Sequence, residues 1–198
     1  MVAYRDAVER NATRNDLLLA AVVAAEKPCI LFVKGIQHGR AMTKLLERAG
    51  VQTRFVWGAL SHDARERLIR DLEAGRLDAL VANVVFQTGV DIPQLRSAVI
   101  GSGGKSVIAA LQRVGRGMRK AAGKTGFAVY DVLDRGCGCA AAAKALGAKG
   151  TAGTHAICRW MEEHAKGRQA AYIGESYTVS VRQLVTAPLQ PTEDAKGE

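Results

Sequence analysis

The densest chemistry in the chain lies in one run, Leu111-Gln112-Arg113-Val114-Gly115-Arg116-Gly117-Met118-Arg119-Lys120. At about 100° per residue on a helix, Gln112, Arg116 and Arg119 fall at roughly 0°, 40° and −20°, on a single polar face. Val107, Ala110, Leu111, Val114 and Met118 fall between roughly 160° and 260°, on the opposite face. Such a helix can dock its apolar side on a sheet while a glutamine and two guanidiniums project together. Paired guanidinium forks suit phosphate oxygens, for which lysine would be only a point charge. Gly115 and Gly117 each cost a helix about 1 kcal/mol relative to alanine, and close approach of a backbone or ligand is the usual reason for keeping them. The bland alternative is a basic surface helix paired with neighbouring carboxylates. It lacks local partners, because Ile92 to Tyr130 contains seven Lys or Arg residues and no Asp or Glu.

A second cluster runs from Val81 to Pro93 and holds Asn83, Thr88, Gly89 and Asp91. A buried strand ends near Ala82 and a loop follows. In open parallel sheets, ligands bind beyond the carboxyl ends of the strands. Gly89 lets backbone approach a ligand, and Asp91 can accept from ribose hydroxyls or hold water. Equally, Asp91 fits a tight turn in which it bonds only local amides.

The elements that must position these residues alternate. Apolar runs at Cys29–Val33, Thr53–Trp57, Asp78–Ala82, Ser97–Gly101 and Gly126–Val132 read as strands buried on both faces. Segments Asn11–Ala25, Gln37–Ala49, Ser61–Ala74 and Ser106–Arg119 carry helical periodicity, with Ser61 as a cap and Gly75 as a stop. The alternation predicts an α/β fold with a doubly wound, mainly parallel sheet. After Asp134 the pattern changes. A Gly/Ala-rich stretch leads to a helix over Thr154–Arg168, then a strand or hairpin arm within Tyr172–Val185. The expected organisation is a lobe at 1–134, an extension at 135–186 and a loose tail at 187–198.

With 198 residues, 48% apolar and 24% charged, the chain has a globular composition and can bury a sizeable core without staples. It has no run long enough to span a membrane, no signal-peptide core and only four cysteines, so a reducing cytoplasm is expected. The net charge of +9 is segregated, with +7 of it between residues 92 and 130. A concentrated positive stretch implies a polyanionic partner, nucleic acid or nucleotide phosphate.

The order of these motifs resembles the second RecA-like lobe of superfamily 2 helicases, of the UvsW and XPB type, from about Tyr4 to Asp134. Ile30-Leu-Phe-Val-Lys-Gly-Ile-Gln-His38 is similar to motif IV and Gly58-Ala-Leu-Ser-His-Asp-Ala-Arg-Glu-Arg67 to motif IVa. Ala82–Pro93 is similar to motif V, and Gln112-Arg-Val-Gly-Arg-Gly-Met-Arg119 to motif VI. The resemblance implies that Arg116 and Arg119 reach the phosphates of a nucleotide across a lobe interface, with Gln112 beside them. It places Gly89 and Asp91 near the nucleotide. It sets Phe32, Val33 and the loop after them along a nucleic-acid backbone, and on that reading Lys34, Arg40, Arg67, Asn83 and Thr88 would grip the sugar–phosphate chain; Asn83 stands where the family usually has threonine.

The family's first lobe holds a Gly-rich phosphate loop and an acidic Mg²⁺ site, and neither motif occurs here. Gly117-Met-Arg-Lys-Ala-Ala-Gly-Lys-Thr125 has one residue too many between its glycines and precedes a strand. ATP with Mg²⁺ would therefore be held mainly by a separate lobe, and the chain alone should be silent. It could be a fragment, half of a divided helicase or a lone lobe reused for binding; Met1 and the acidic end favour a complete short product. The expected setting is a bacterial or phage-infected host cell, and the expected partners are the missing lobe and DNA or RNA. The main rival is a non-catalytic nucleic-acid- or protein-binding module. A zinc-bearing domain using Cys137, Cys139, His155 and Cys158 is a third reading, but the spacing is unorthodox and no metal is expected. His38 and His62 read as surface or capping residues, Phe55 and Trp57 as strand packing, and Trp160 as core rather than a base-stacking platform. Glu162 and Glu163 read as a solvated helix face.

Overall fold

The computed structural model describes residues 4–83, 92–103, 126–134, 152–174 and 177–181, without the side chains of 152–158. A π-helical turn, Arg5–Glu9, leads into α1 (Ala12–Ala24). Then follow β1 (Cys29–Val33), α2 (Ile36–Arg48), β2 (Thr53–Val56), α3 (His62–Glu73) and β3 (Ala79–Asn83). After these come β4 (Ser97–Ile100), β5 (Ala128–Asp131) and α4 (Ala152–Gly174).

The strands form one sheet in the order β2-β3-β1-β4-β5, and every pairing is parallel, as the strand–helix alternation predicts. Alternate side chains of each strand enter different cores, the direct consequence of a two-residue side-chain period. Leu31, Val33, Phe55, Val81 and Val99 pack with Leu18 and Val22 of α1 and Met42 and Leu46 of α2. Ile30, Phe32, Val56, Leu80, Ala82 and Ile100 pack on the other side with Leu72 of α3, joined by Tyr172 of α4. Each such fully buried aliphatic or aromatic side chain contributes roughly 1.5–3 kcal/mol. Phe55 and Trp57 stack with ring centroids 5.2 Å apart, in the packing role expected of them.

Local signals place the helix ends. Asn11 caps α1, its side chain accepting from Arg14 N–H at 3.1 Å, and Ser61 caps α3 through Ala64 N–H at 3.3 Å. Gly75 follows α3 at φ +70°, a left-handed conformation that side chains disfavour, and its N–H returns to Leu72 O.

Two expectations need correction. His38 is buried rather than superficial, at 2% exposure. It sits on the inner side of α2, and its Nε2 lies 3.0 Å from Asn15 Oδ1 on α1. Secondly, Tyr172 belongs to α4, which runs to Gly174, and residues 177–181 form no strand. Tyr172 stays helical because its ring reaches the second core and its hydroxyl reaches Asp131. The helix expected over Ser106–Arg119 lies outside the described residues, as do 187–198.

Candidate functional site at the carboxyl edge of the sheet

Parallel strands end together at one edge, and the residues just past β3, β1, β4 and β5 line it. Val33 pairs with Asn83 and Phe32 with Ile100. Gly101 N–H continues the ladder to Phe32 O at 2.7 Å. Asn83, Lys34 and Gly101–Gly103 therefore lie side by side. From β1 the chain moves toward β2 at one margin, and from β4 toward β5 at the other. The boundary between β1 and β4 is thus the switch point of the sheet, where open α/β folds form their crevice.

Several polar groups meet here. Lys34 is exposed, and its ammonium lies 4.8 Å from the centroid of the Tyr4 ring. The Tyr4 hydroxyl accepts from Gly103 N–H at 3.3 Å, and its ring stands edge-on to Trp160, centroids 5.9 Å apart. Burial pushes the Tyr4 phenol above its ordinary range. Asn83 Oδ1 and Ser102 Oγ, in residues only 6% and 1% exposed, are buried without a hydrogen-bond partner among the described residues. Buried polar atoms are nearly always paired, so these two are open capacity at the edge.

Beneath the edge runs an ion-pair network that sequence reasoning did not single out. Arg14 of α1 donates from Nε and Nη2 to the two oxygens of Asp134, each at 3.3 Å, and from Nη1 to Gly101 O at 3.1 Å. Arg168 of α4, fully buried, donates from Nε to Asp131 Oδ2 at 2.7 Å and from Nη2 to Oδ1 at 3.2 Å. Its remaining bonds go to Gly103 O at 3.1 Å and Val132 O at 3.2 Å. Tyr172 adds a hydroxyl to Asp131 Oδ2 at 3.0 Å. Burial raises the Asp131 carboxyl against the pull of Arg168. Burial also works against the charge of Arg168, but Asp131, Tyr172 and Asp134 more than offset it, and the guanidinium stays protonated. The two arginines thus fasten the backbone on both sides of segment 104–125: Gly101 and Gly103 before it, Asp131 to Asp134 after it. A signal existed in the sequence, since an Asp ending an otherwise apolar strand needs a cation brought to it. Which of 28 cations it would be was not legible.

Of the residues expected to touch nucleic acid, Lys34 and Asn83 share the edge. Arg40 and Arg67 are exposed on α2 and α3, which cover opposite faces of the sheet. Thr88, Gly89, Asp91, Gln112, Arg116 and Arg119 lie outside the described residues, as do Cys137, Cys139 and the side chains of His155 and Cys158. Among the described residues, no three His, Cys, Asp or Glu side chains gather to hold a metal. No helix among them is long and apolar enough to cross a membrane.

A five-stranded, all-parallel sheet with helices on both faces is a RecA-like α/β lobe. Residues 13–121, more than half of the chain, match the helicase conserved C-terminal domain, and the chain belongs to that family. It is 32% identical over 117 residues to the ATP-dependent DNA helicase UvsW of phage T4, covering 58% of this chain and 23% of that one. It is 36% identical over 104 residues to the ATP-dependent RNA helicase DBP10 of Kluyveromyces lactis, covering 52% and 10%. The crystal structure of T4 UvsW superimposes with a TM-score of 0.56 at 25% identity, over 82% of this chain and 32% of that one. The matched part therefore spans less than a quarter of these curated relatives' own length.

Proposed function

We propose that this chain is the second RecA-like lobe of an ATP-dependent helicase or translocase, working with a first lobe that carries the phosphate loop and the Mg²⁺ carboxylates. In this reading ATP, the source of phosphoryl-transfer free energy, lies between the lobes and is held mainly by the partner. Arg116 and Arg119 face its phosphates, Gln112 stands beside them, and Gly89 and Asp91 line the same cleft. Lys34, Arg40, Arg67, Asn83 and Thr88 follow a sugar–phosphate backbone without reading bases. One observation carries the reading. β3 and β4 end at the same edge, so segments 84–91 and 104–125 both depart from the switch point where Lys34, Asn83 and Ser102 gather. The open Asn83 Oδ1 and Ser102 Oγ suit a hydroxyl-bearing or hydrated ligand, and Lys34 suits a phosphate.

The test is ATP hydrolysis with and without single-stranded DNA or RNA, by the chain alone and mixed with a candidate first lobe. Silence alone and stimulated turnover in the mixture are expected. Arg116→Ala should abolish that turnover, since an arginine finger contributes about 10³–10⁵ in rate. Robust hydrolysis by the isolated chain would sink the proposal. Nucleic-acid binding with no turnover from any first lobe would instead identify a binding module that keeps the lobe without the motor.

A further inference from the structure

Helix α2 carries an unbalanced charge on its outer ridge. Arg40, Lys44 and Arg48 follow one another at four-residue spacing, so on the helix they stand about 40° apart per step, roughly 6 Å along the axis. The buried side of the same helix holds His38, Gly39, Met42 and Leu46, and the cationic ridge lies opposite it. Like charges at i,i+4 disfavour a helix, and here two such pairs occur in succession. Glu47 lies on the same ridge, but its carboxylate is drawn to Arg54 of β2 at 3.3 Å. Among the described residues no carboxylate lies within ion-pair distance of Arg40, Lys44 or Arg48. The other surface helices are built differently: Arg70 pairs with Glu66 on α3, and Arg159 with Glu163 and Lys166 with Glu162 on α4. The ridge begins one turn into the helix that follows Lys34 and leads away from the carboxyl edge.

From this arrangement we infer that the outer ridge of α2 is an interaction surface for a phosphate backbone, so that a nucleic-acid strand leaving the carboxyl edge continues along Arg40, Lys44 and Arg48. The inference rests on the reading above and extends it to Lys44 and Arg48, which neither the motifs nor the comparisons assign. Lys44 and Arg48 offer donors and charge to phosphate oxygens and do not reach base edges, so their contribution is sequence-independent and salt-sensitive.

The experiment measures the affinity of the full chain for a labelled oligothymidine of about 20 nucleotides, long enough to run past a single domain's footprint, across a salt series. Wild type is compared with the double variant Lys44→Ala, Arg48→Ala, with Lys34→Ala, and with a surface control, Arg70→Ala, Arg159→Ala. All these side chains are exposed, and matching thermal melts confirm that folding is unaffected. The α2 double variant should lower the slope of log K against log salt by roughly 1.4, two single-strand phosphate contacts, while the control leaves it unchanged. A slope unchanged in the α2 variant but reduced in Lys34→Ala would overturn the inference and keep the carboxyl-edge reading. The opposite pattern would keep the ridge and overturn the edge. No salt-dependent binding by wild type would remove both. Binding of polyglutamate through Lys44 and Arg48, with the oligothymidine slope unmoved, would also overturn the inference and point to an acidic protein.

Discussion

Two buried residues show how single side chains decide this lobe's behaviour. Arg168 satisfies Asp131 and two backbone carbonyls at once. Removing one member of a buried ion pair strands the other, at a typical cost of about 3–5 kcal/mol. Arg168→Ala should therefore lower the unfolding free energy by that much. Arg168→Ala combined with Asp131→Asn should recover a substantial part, because the uncompensated carboxylate is gone. Chemical denaturation of the two variants checks this, and equal losses would refute it. His38 makes a different prediction. Burial, with the nearby Arg14 charge, pushes its imidazole down to about 4, and its Nδ1 has no hydrogen-bond partner among the described residues. The folded state holds it neutral, while the unfolded chain takes up a proton below about pH 6.5. That contribution is fully present above pH 6.5 and is lost as pH falls toward 4. Between pH 7 and 4.5, wild type should lose roughly 2–3 kcal/mol more stability than His38→Gln, measured by urea unfolding at both pH values.

At the scale of elements, α2 and β2 are fitted to each other with little tolerance. A Cβ on Gly39 would overlap the Phe55 ring, which is itself stacked on Trp57. Glycine normally weakens a helix by about 1 kcal/mol relative to alanine, so propensity alone would favour a substitution here. The clash should win because the obstacle is a ring packed in the core, and overpacking typically costs about 1–3 kcal/mol. Gly39→Val should thus lower the melting temperature, and the second substitution Phe55→Leu should restore part of the loss. A Gly39→Val variant as stable as wild type would show that α2 can shift outward.

For the whole molecule, α4 is fastened to the sheet by Arg168 and Tyr172, so the lobe and its carboxy-terminal helix share one polar network. A chain truncated after Asp134 loses both partners of Asp131. It should unfold several degrees lower than the full chain, and Asp131→Asn in the truncated background should narrow the gap. Differential scanning calorimetry of the three proteins decides the point, and an unchanged melting temperature after truncation would show α4 to be a passenger.

Much of this organisation was legible before any coordinates. β1 to β5, α1 to α3 and their parallel arrangement follow from apolar runs of strand length, helical periodicity, the cap at Ser61 and the stop at Gly75, all of which act over a few residues. The location of the crevice follows too, because parallel strands must end at one edge. The burial of His38 and the helical state of Tyr172 are not legible in the sequence, because nothing local distinguishes a superficial histidine from a buried one, or a strand-forming tyrosine from the last turn of a helix. Their neighbours in space, Asn15 and Asp131, are distant in sequence. The chain by itself thus determined the family and the sheet, since those depend on pattern and side-chain chemistry. Only the tertiary structure decided which cations are spent on internal carboxylates, as Arg14 and Arg168 are, and which remain turned outward, as Arg40, Lys44 and Arg48 are. Charge pairing acts through space, and one-dimensional order does not record it.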